Sequence, residues 1–145
     1  MNRNALFCGM LGFAAVGLLV SAYLTYLSFT PPTSCPISSY GIFSCDEVIW
    51  SKYSHFYGVS VALLGLGWFI IVLVLLVLTW RDERFMRAVA AWSLLGAAGV
   101  AAFVYTEVFL LGSICPFCTI AHLSGLAILV LSVFALRAPQ ETRQL

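Results

Sequence analysis

From Ala5 to Phe29 the chain passes without one charged side chain. Only a helix lets such a stretch satisfy its own backbone hydrogen bonds away from water, and about 20 apolar residues are enough to cross a bilayer. Three further runs are apolar over a similar length, Phe56–Trp80, Met86–Ser113 and Pro116–Leu136, with Arg87 and Glu107 the charged residues within them. Hydrophobic residues make up 62% of the chain and charged ones 9%, against roughly a quarter charged in a soluble domain. The expected fold is therefore all-α and integral to the membrane. It is one domain, residues 1–145, folded as a bundle of four transmembrane helices with spans 5–29, 56–80, 86–113 and 116–136, a connection 30–55 and a tail 138–145. A signal peptide is the competing reading of the first run, but its apolar core exceeds the usual length of about 7–15 residues and no small-residue cleavage site closes it. Small residues, Gly9, Gly12 and Gly17 in the first run and Gly96 to Ala102 in the third, suit close helix packing. Nucleic acid is excluded as a partner, since the net charge is +1 and no basic stripe carries interleaved aromatics.

The connection 30–55 opens with Thr30-Pro31-Pro32-Thr33, which cannot continue a helix, and it carries Cys35 and Cys45. Within it Ser44-Cys45-Asp46-Glu47 reads as a capping box, in which the Ser44 hydroxyl and the Glu47 carboxylate satisfy backbone donors. A short amphipathic helix on the membrane surface is expected there, with Cys45 in its first turn. Arg3, Arg81, Arg84, Arg87, Arg137 and Arg143 fall on one side of the four spans, leaving only Lys52 on the other. The positive-inside rule then places both termini in the cytoplasm, and Cys35, Cys45, Cys115 and Cys118 on the opposite face, where disulfides persist.

Cys115-Pro116-Phe117-Cys118 opens the last span, and the helix start is expected to bias both thiols toward thiolate. A CxxC pair also serves haem and zinc. Covalent haem needs His at position 119, which is Thr, and a zinc site using His122 fits poorly with two more cysteines on an oxidising surface, so no metal is expected. A CxxC disulfide closes too small a ring to staple a fold, which favours thiol–disulfide exchange between the loop pair and this pair. Apolar walls around the second pair would suit a planar quinone as terminal acceptor. Glu107, two turns before Cys115 in the third span, is a functional candidate because ionisable groups are costly at that depth. Cys8 reads as a small apolar filler. Two rivals stay open, a tetraspan scaffold stapled by Cys35–Cys45 and a conduit that uses Cys8 on the cytoplasmic side.

Cys35 and Cys45, Ser51, Tyr53-Ser54, Phe56-Tyr57-Gly58, Ala62-Leu63-Leu64-Gly65 and Ile114-Cys115-Pro116-Phe117-Cys118, in this order, resemble the vitamin K epoxide reductase family, most of all its prokaryotic members. The resemblance implies a membrane thiol:quinone oxidoreductase that drives disulfide formation in a separate extracytoplasmic thioredoxin-like protein. Its acceptor would be menaquinone, ubiquinone or phylloquinone. By the same resemblance Cys35 would exchange with the partner, Cys45 would carry electrons to Cys115, and Cys118 would face the quinone. Ser54, Phe56 and His122 would bind the quinone, while Ser51 would supply a loop-to-tip hydrogen bond; Glu107, on its depth in the span rather than on the resemblance, is given a supporting role. Vertebrate members that reduce the epoxide resemble one another in having Asn in place of Ser54 and Tyr in place of His122, which puts epoxide reduction, though not quinone reduction, in doubt and leaves a vitamin K quinone or epoxide reductase of the vertebrate kind as the alternative.

Overall fold

The computed structural model describes residues 3–30 and 41–138. Cys35 lies outside them, as does nearly all of the tail. Four helices are long and apolar enough to cross a membrane: α1 (Arg3–Ser28), α3 (Val61–Arg81), α4 (Phe85–Tyr105) extended by a π-helical turn (Thr106–Leu111), and α5 (Pro116–Arg137). The connection carries a five-residue helix, α2 (Cys45–Ile49), and a two-stranded hairpin, β1 (His55–Phe56) with β2 (Val59–Ser60). α1 packs on α5 and α3, and α4 closes the ring against the same two helices. The result is the expected four-helix bundle.

The second membrane helix starts at Val61, five residues after the expected start at Phe56. Tyr57 and Gly58 both take positive φ, +51° and +83°, which makes a tight hairpin turn and forbids a helix through them. Their strands pair His55 with Ser60 and Phe56 with Val59, and Val61 N–H donates to Ser54 O at 2.8 Å, so the hairpin hands the chain directly to α3. The third span also ends earlier than expected. Gly112 at φ +66° stops the π-helical turn after Leu111, and its left-handed conformation is one that glycine adopts without steric cost.

Side chains fill the bundle in two clusters. Away from the CxxC turn, Met10, Phe69, Val72, Leu76, Val89 and Ile128 form an apolar core. At the CxxC turn, Leu24, Leu27, Cys45, Ile49 and Cys115 form a second. At the far end Arg3 pairs with Glu83, joining the start of α1 to the α3–α4 turn.

Gly17 is where α1 admits the Phe69 ring of α3, since a Cβ there would stand 2.1 Å from that ring. Gly12 has open space on the same helix. We expect Gly17→Ala to destabilise the protein by about 1–3 kcal/mol through overpacking, read as a lower midpoint in detergent thermal unfolding. Gly12→Ala should leave the midpoint unchanged or slightly raised, and adding Phe69→Leu to Gly17→Ala should recover part of the loss. Equal effects at the two glycines would contradict this packing.

Candidate functional site

Cys115 is the N-cap of α5 and is followed by Pro116, which starts a helix without loss because its missing N–H has no intrahelical partner there. The Cys118 N–H points back at Cys115 Sγ, 3.4 Å away, so both sulfurs lie at the start of the helix. On the facing side Ser44 caps α2, its hydroxyl accepting Glu47 N–H at 3.4 Å, and Cys45 is the first helical residue.

Two backbone hydrogen bonds bring these turns together. Ser44 N–H donates to Ile114 O at 3.2 Å and Ile114 N–H donates to Ile42 O at 2.8 Å, a short parallel bridge between the connection and the CxxC turn. Cys45, two residues beyond the bridged Phe43, and Cys115, one beyond its partner Ile114, thereby meet. Their sulfurs are 2.9 Å apart and both residues are fully buried.

Only half of the expected capping box forms. The Ser44 N–H that Glu47 would satisfy is committed to Ile114 O, and the Glu47 carboxylate instead accepts the hydroxyl of Ser113 in the opposite turn. The loop-to-tip contact expected of Ser51 therefore falls to Glu47. Ser51 donates to Val48 O at 2.9 Å within its own turn and accepts Ser54 Oγ through its carbonyl.

The environment of Cys115 also differs from expectation. The neighbouring Cys118 thiol and burial push the Cys115 thiol well above the ordinary thiol range, outweighing the opposing influence of Cys45 and of the Cys118 N–H. A helix start favours a thiolate only where the charge stays solvated or compensated, and this sulfur is sealed in an apolar cluster.

Beside the CxxC turn the four helices enclose a cavity of about 280 Å³. Cys118, His122, Ser54 and Glu107 supply its polar lining together with Ser21, Ser60 and other hydroxyls, and the rest is mostly apolar. His122 stacks parallel on Phe103 with centroids 6.3 Å apart. Ser54 Oγ lies 2.9 Å from His55 Nδ1. Glu107 is buried in the π-helical turn, where the Cys115 backbone N–H bonds to its carboxylate. Phe56, expected at the quinone, is instead exposed on the hairpin against Tyr57, because β1 turns its side chain away from the bundle. The glycine patch of α4 does more than bring helices together. A Cβ at Gly96 would fall 2.5 Å from the Trp68 ring, so this glycine seats the indole that walls the cavity.

Among the described residues no three His, Cys, Asp or Glu side chains gather to hold a metal ion. Cys8 is exposed on the outer surface of α1, remote in sequence and place from the pair.

In the fully reduced protein, Cys115 should alkylate at pH 8 roughly tenfold or more slowly than Cys118, the partly exposed member of the pair. Raising the pH toward the displaced titration range should narrow that gap, because thiolate forms at Cys115 only as the pH climbs above the ordinary thiol value. Mass spectrometry of timed iodoacetamide reactions reads both rates. Cys115 reacting as fast as Cys118 at pH 8 would contradict the assignment.

Residues 9–133 match the model of the Vitamin K epoxide reductase family, a stretch that takes in Cys45, Cys115, Cys118 and every cavity-lining residue. Four membrane-crossing helices around an apolar cavity with a CxxC pair at its edge are what a membrane oxidoreductase of that kind requires, and the chain belongs to the vitamin K epoxide reductase family.

Proposed function

We propose that the protein moves electrons from a thioredoxin-like dithiol protein to a membrane quinone and so drives disulfide formation on the extracytoplasmic side. The observation that carries this reading is the contact of Cys45 Sγ with Cys115 Sγ at 2.9 Å, while Cys118 borders the apolar cavity. Cys45 thus reaches the CxxC turn from the connection, and Cys118 faces a space open to a lipid-soluble molecule. The cavity suits a quinone head group, being mainly apolar with hydroxyl and imidazole groups at Ser54 and His122 able to hydrogen-bond carbonyl oxygens.

Electrons and protons balance along the route. The partner's dithiol reduces Cys35–Cys45 by exchange, becoming a disulfide itself and leaving two thiols on the loop. Cys45 thiolate attacks Cys115 of the Cys115–Cys118 disulfide, so the Cys45–Cys115 bond forms and Cys118 leaves as thiolate. Cys35 then attacks Cys45, the Cys35–Cys45 bond re-forms, and Cys115 is released as a thiol once protonated. Reduced Cys115 and Cys118 close to a disulfide again as two electrons and two protons pass to the bound quinone. Glu107 supports the turn by accepting the Cys115 N–H, which joins the π-helical turn to the sulfur pair.

The charge distribution supports the orientation. Arg81, Arg84, Arg87 and Arg137 lie at the end of the bundle where Arg3 meets Glu83, and Lys52 lies at the cysteine end, so the arginine-rich end faces the cytoplasm by the positive-inside rule.

Quinone reduction by the purified protein in detergent, driven by a reduced thioredoxin-like donor, tests the reading. Cys115→Ala and Cys118→Ala should abolish turnover with any donor. Cys35→Ala and Cys45→Ala should abolish it with the protein donor and retain it with a small dithiol. Wild type that reduces no quinone while its cysteines stay stably paired would instead favour a stapled scaffold. A second series separates support from proton delivery at Glu107. Glu107→Gln, which keeps an acceptor for Cys115 N–H, should hold turnover near wild type, and Glu107→Ala should lower it roughly tenfold, the scale of one hydrogen bond. A loss as large in Glu107→Gln as in Glu107→Ala would make the carboxyl proton itself essential.

A further inference from the structure

We infer that Glu47 is a positioning residue whose bond to Ser113 latches α2 onto the CxxC turn and holds Cys45 Sγ in line with Cys115 Sγ. The inference deepens the relay described above and rests on it for its effect on turnover, though not for its effect on geometry.

The backbone bridge fixes residues 42–44 against Ile114 but ends before Cys45. Beyond Ser44 the orientation of α2 depends on its side chains. Cys45 and Ile49, four apart on one face, sink into the apolar cluster with Leu24, Leu27 and Cys115. Apolar contact is non-directional, so it buries that face while fixing only loosely the tilt and slide of the short helix over the cluster. A hydrogen bond is directional, and the bond from Ser113 Oγ to the Glu47 carboxylate joins α2 to the turn just before Cys115. Its donor is held in place, since Ser113 is buried and its N–H is bound to Glu107 O at 3.2 Å.

Chemistry gives that orientation its value. Exchange requires the attacking sulfur to approach along the axis of the disulfide it opens, so a small rotation of a five-residue helix removes the alignment while leaving the fold intact. The same step requires release, because Cys45 must turn from Cys115 toward Cys35 in each cycle. One hydrogen bond at a partly solvated edge is strong enough to bias the docked position and weak enough to open within a turnover. Glu47 lies two residues from Cys45, close enough to steer it, and is exposed rather than built into the core.

Two measurements test the latch. The first uses the Cys35→Ala/Cys118→Ala background, in which Cys45 and Cys115 alone remain at the site. Diamide there accepts two electrons and two protons as the Cys45–Cys115 bond forms. We expect Glu47→Ala or Ser113→Ala to slow this bond about fivefold, Glu47→Gln to restore most of the rate because its amide oxygen still accepts the Ser113 hydroxyl, and the Glu47→Ala/Ser113→Ala pair to be no slower than either alone. The second is steady-state quinone reduction by the otherwise unmodified protein. With a reduced thioredoxin-like donor, Glu47→Ala should lower kcat about fivefold at unchanged KM, while turnover with a small dithiol should change by less than about twofold.

Bond formation at the wild-type rate in Glu47→Ala overturns the latch, as does an equal fall with both donors, which marks general damage to the bundle. Failure of the relay looks different. Wild type would then draw no electrons from the protein donor, yet the diamide rates would still differ between Glu47→Ala and Glu47→Gln.

Discussion

Two backbone hydrogen bonds, Ser44 N–H to Ile114 O and Ile114 N–H to Ile42 O, carry the functional arrangement of this protein. Four helices in lipid need no help to form, since hydrocarbon leaves the backbone nowhere else to bond. A polar connection between the first two of them has no such compulsion. The bridge gives it one, because the chain ends at the CxxC turn present amide and carbonyl groups that neither α4 nor α5 can satisfy. Pairing them with the connection meets that need and places Cys45 beside Cys115 in the same stroke. The apolar cluster around both sulfurs then follows, as Ile49, Leu24 and Leu27 close over a junction that the backbone has already brought together.

The cavity depends on a different compromise. Bundles of this length normally fill their centre, yet here side chains leave about 280 Å³ next to Cys118. The space persists because aromatic groups are held at its walls rather than released into it. Trp68 lies against Gly96, where any side chain would collide with its ring, and Phe103 stacks on His122. Outside the cavity, Phe117 meets Tyr23 edge to face against the apolar cluster of Cys45 and Cys115, with centroids 5.3 Å apart. Flat, rigid walls of this kind match a flat ligand with little loss of side-chain freedom on binding.

Those two features were unequally visible in the sequence. Long uncharged runs and the CxxC spacing are properties of single segments, so the four helices and the placement of Cys115 and Cys118 at a helix start could be read directly. The local preference of Ser44 for capping could be read as well, and its hydroxyl does cap α2. What Glu47 does could not, because its partner Ser113 is 66 residues away and competes with a local bond that the capping motif favours. The start of α3 was hidden for a related reason. Phe56 to Ser60 is apolar enough to join the span, and only the positive φ of Tyr57 and Gly58 separates hairpin from helix. That same turn carries Phe56 away from the cavity, which a motif match along the chain has no means to detect.

Burial at Cys115 bears on how electrons can enter an apolar space at all. A thiolate there would be an ionised group with little water around it and a second sulfur alongside, an arrangement that low-dielectric surroundings penalise. Displacement of its titration upward means that reduced Cys115 is held as a thiol at neutral pH. On the proposed relay this assigns the attacking role to Cys45, since the thiolate and not the thiol is the nucleophile in exchange. It also ties the proton to the electron pair. Reduction of a quinone to its hydroquinone takes up two protons with two electrons, and a sulfur that keeps its proton until the pair closes brings one of them to the cavity edge without creating a buried charge. The desolvation that makes Cys115 a poor nucleophile is therefore what suits it to the receiving end of the relay.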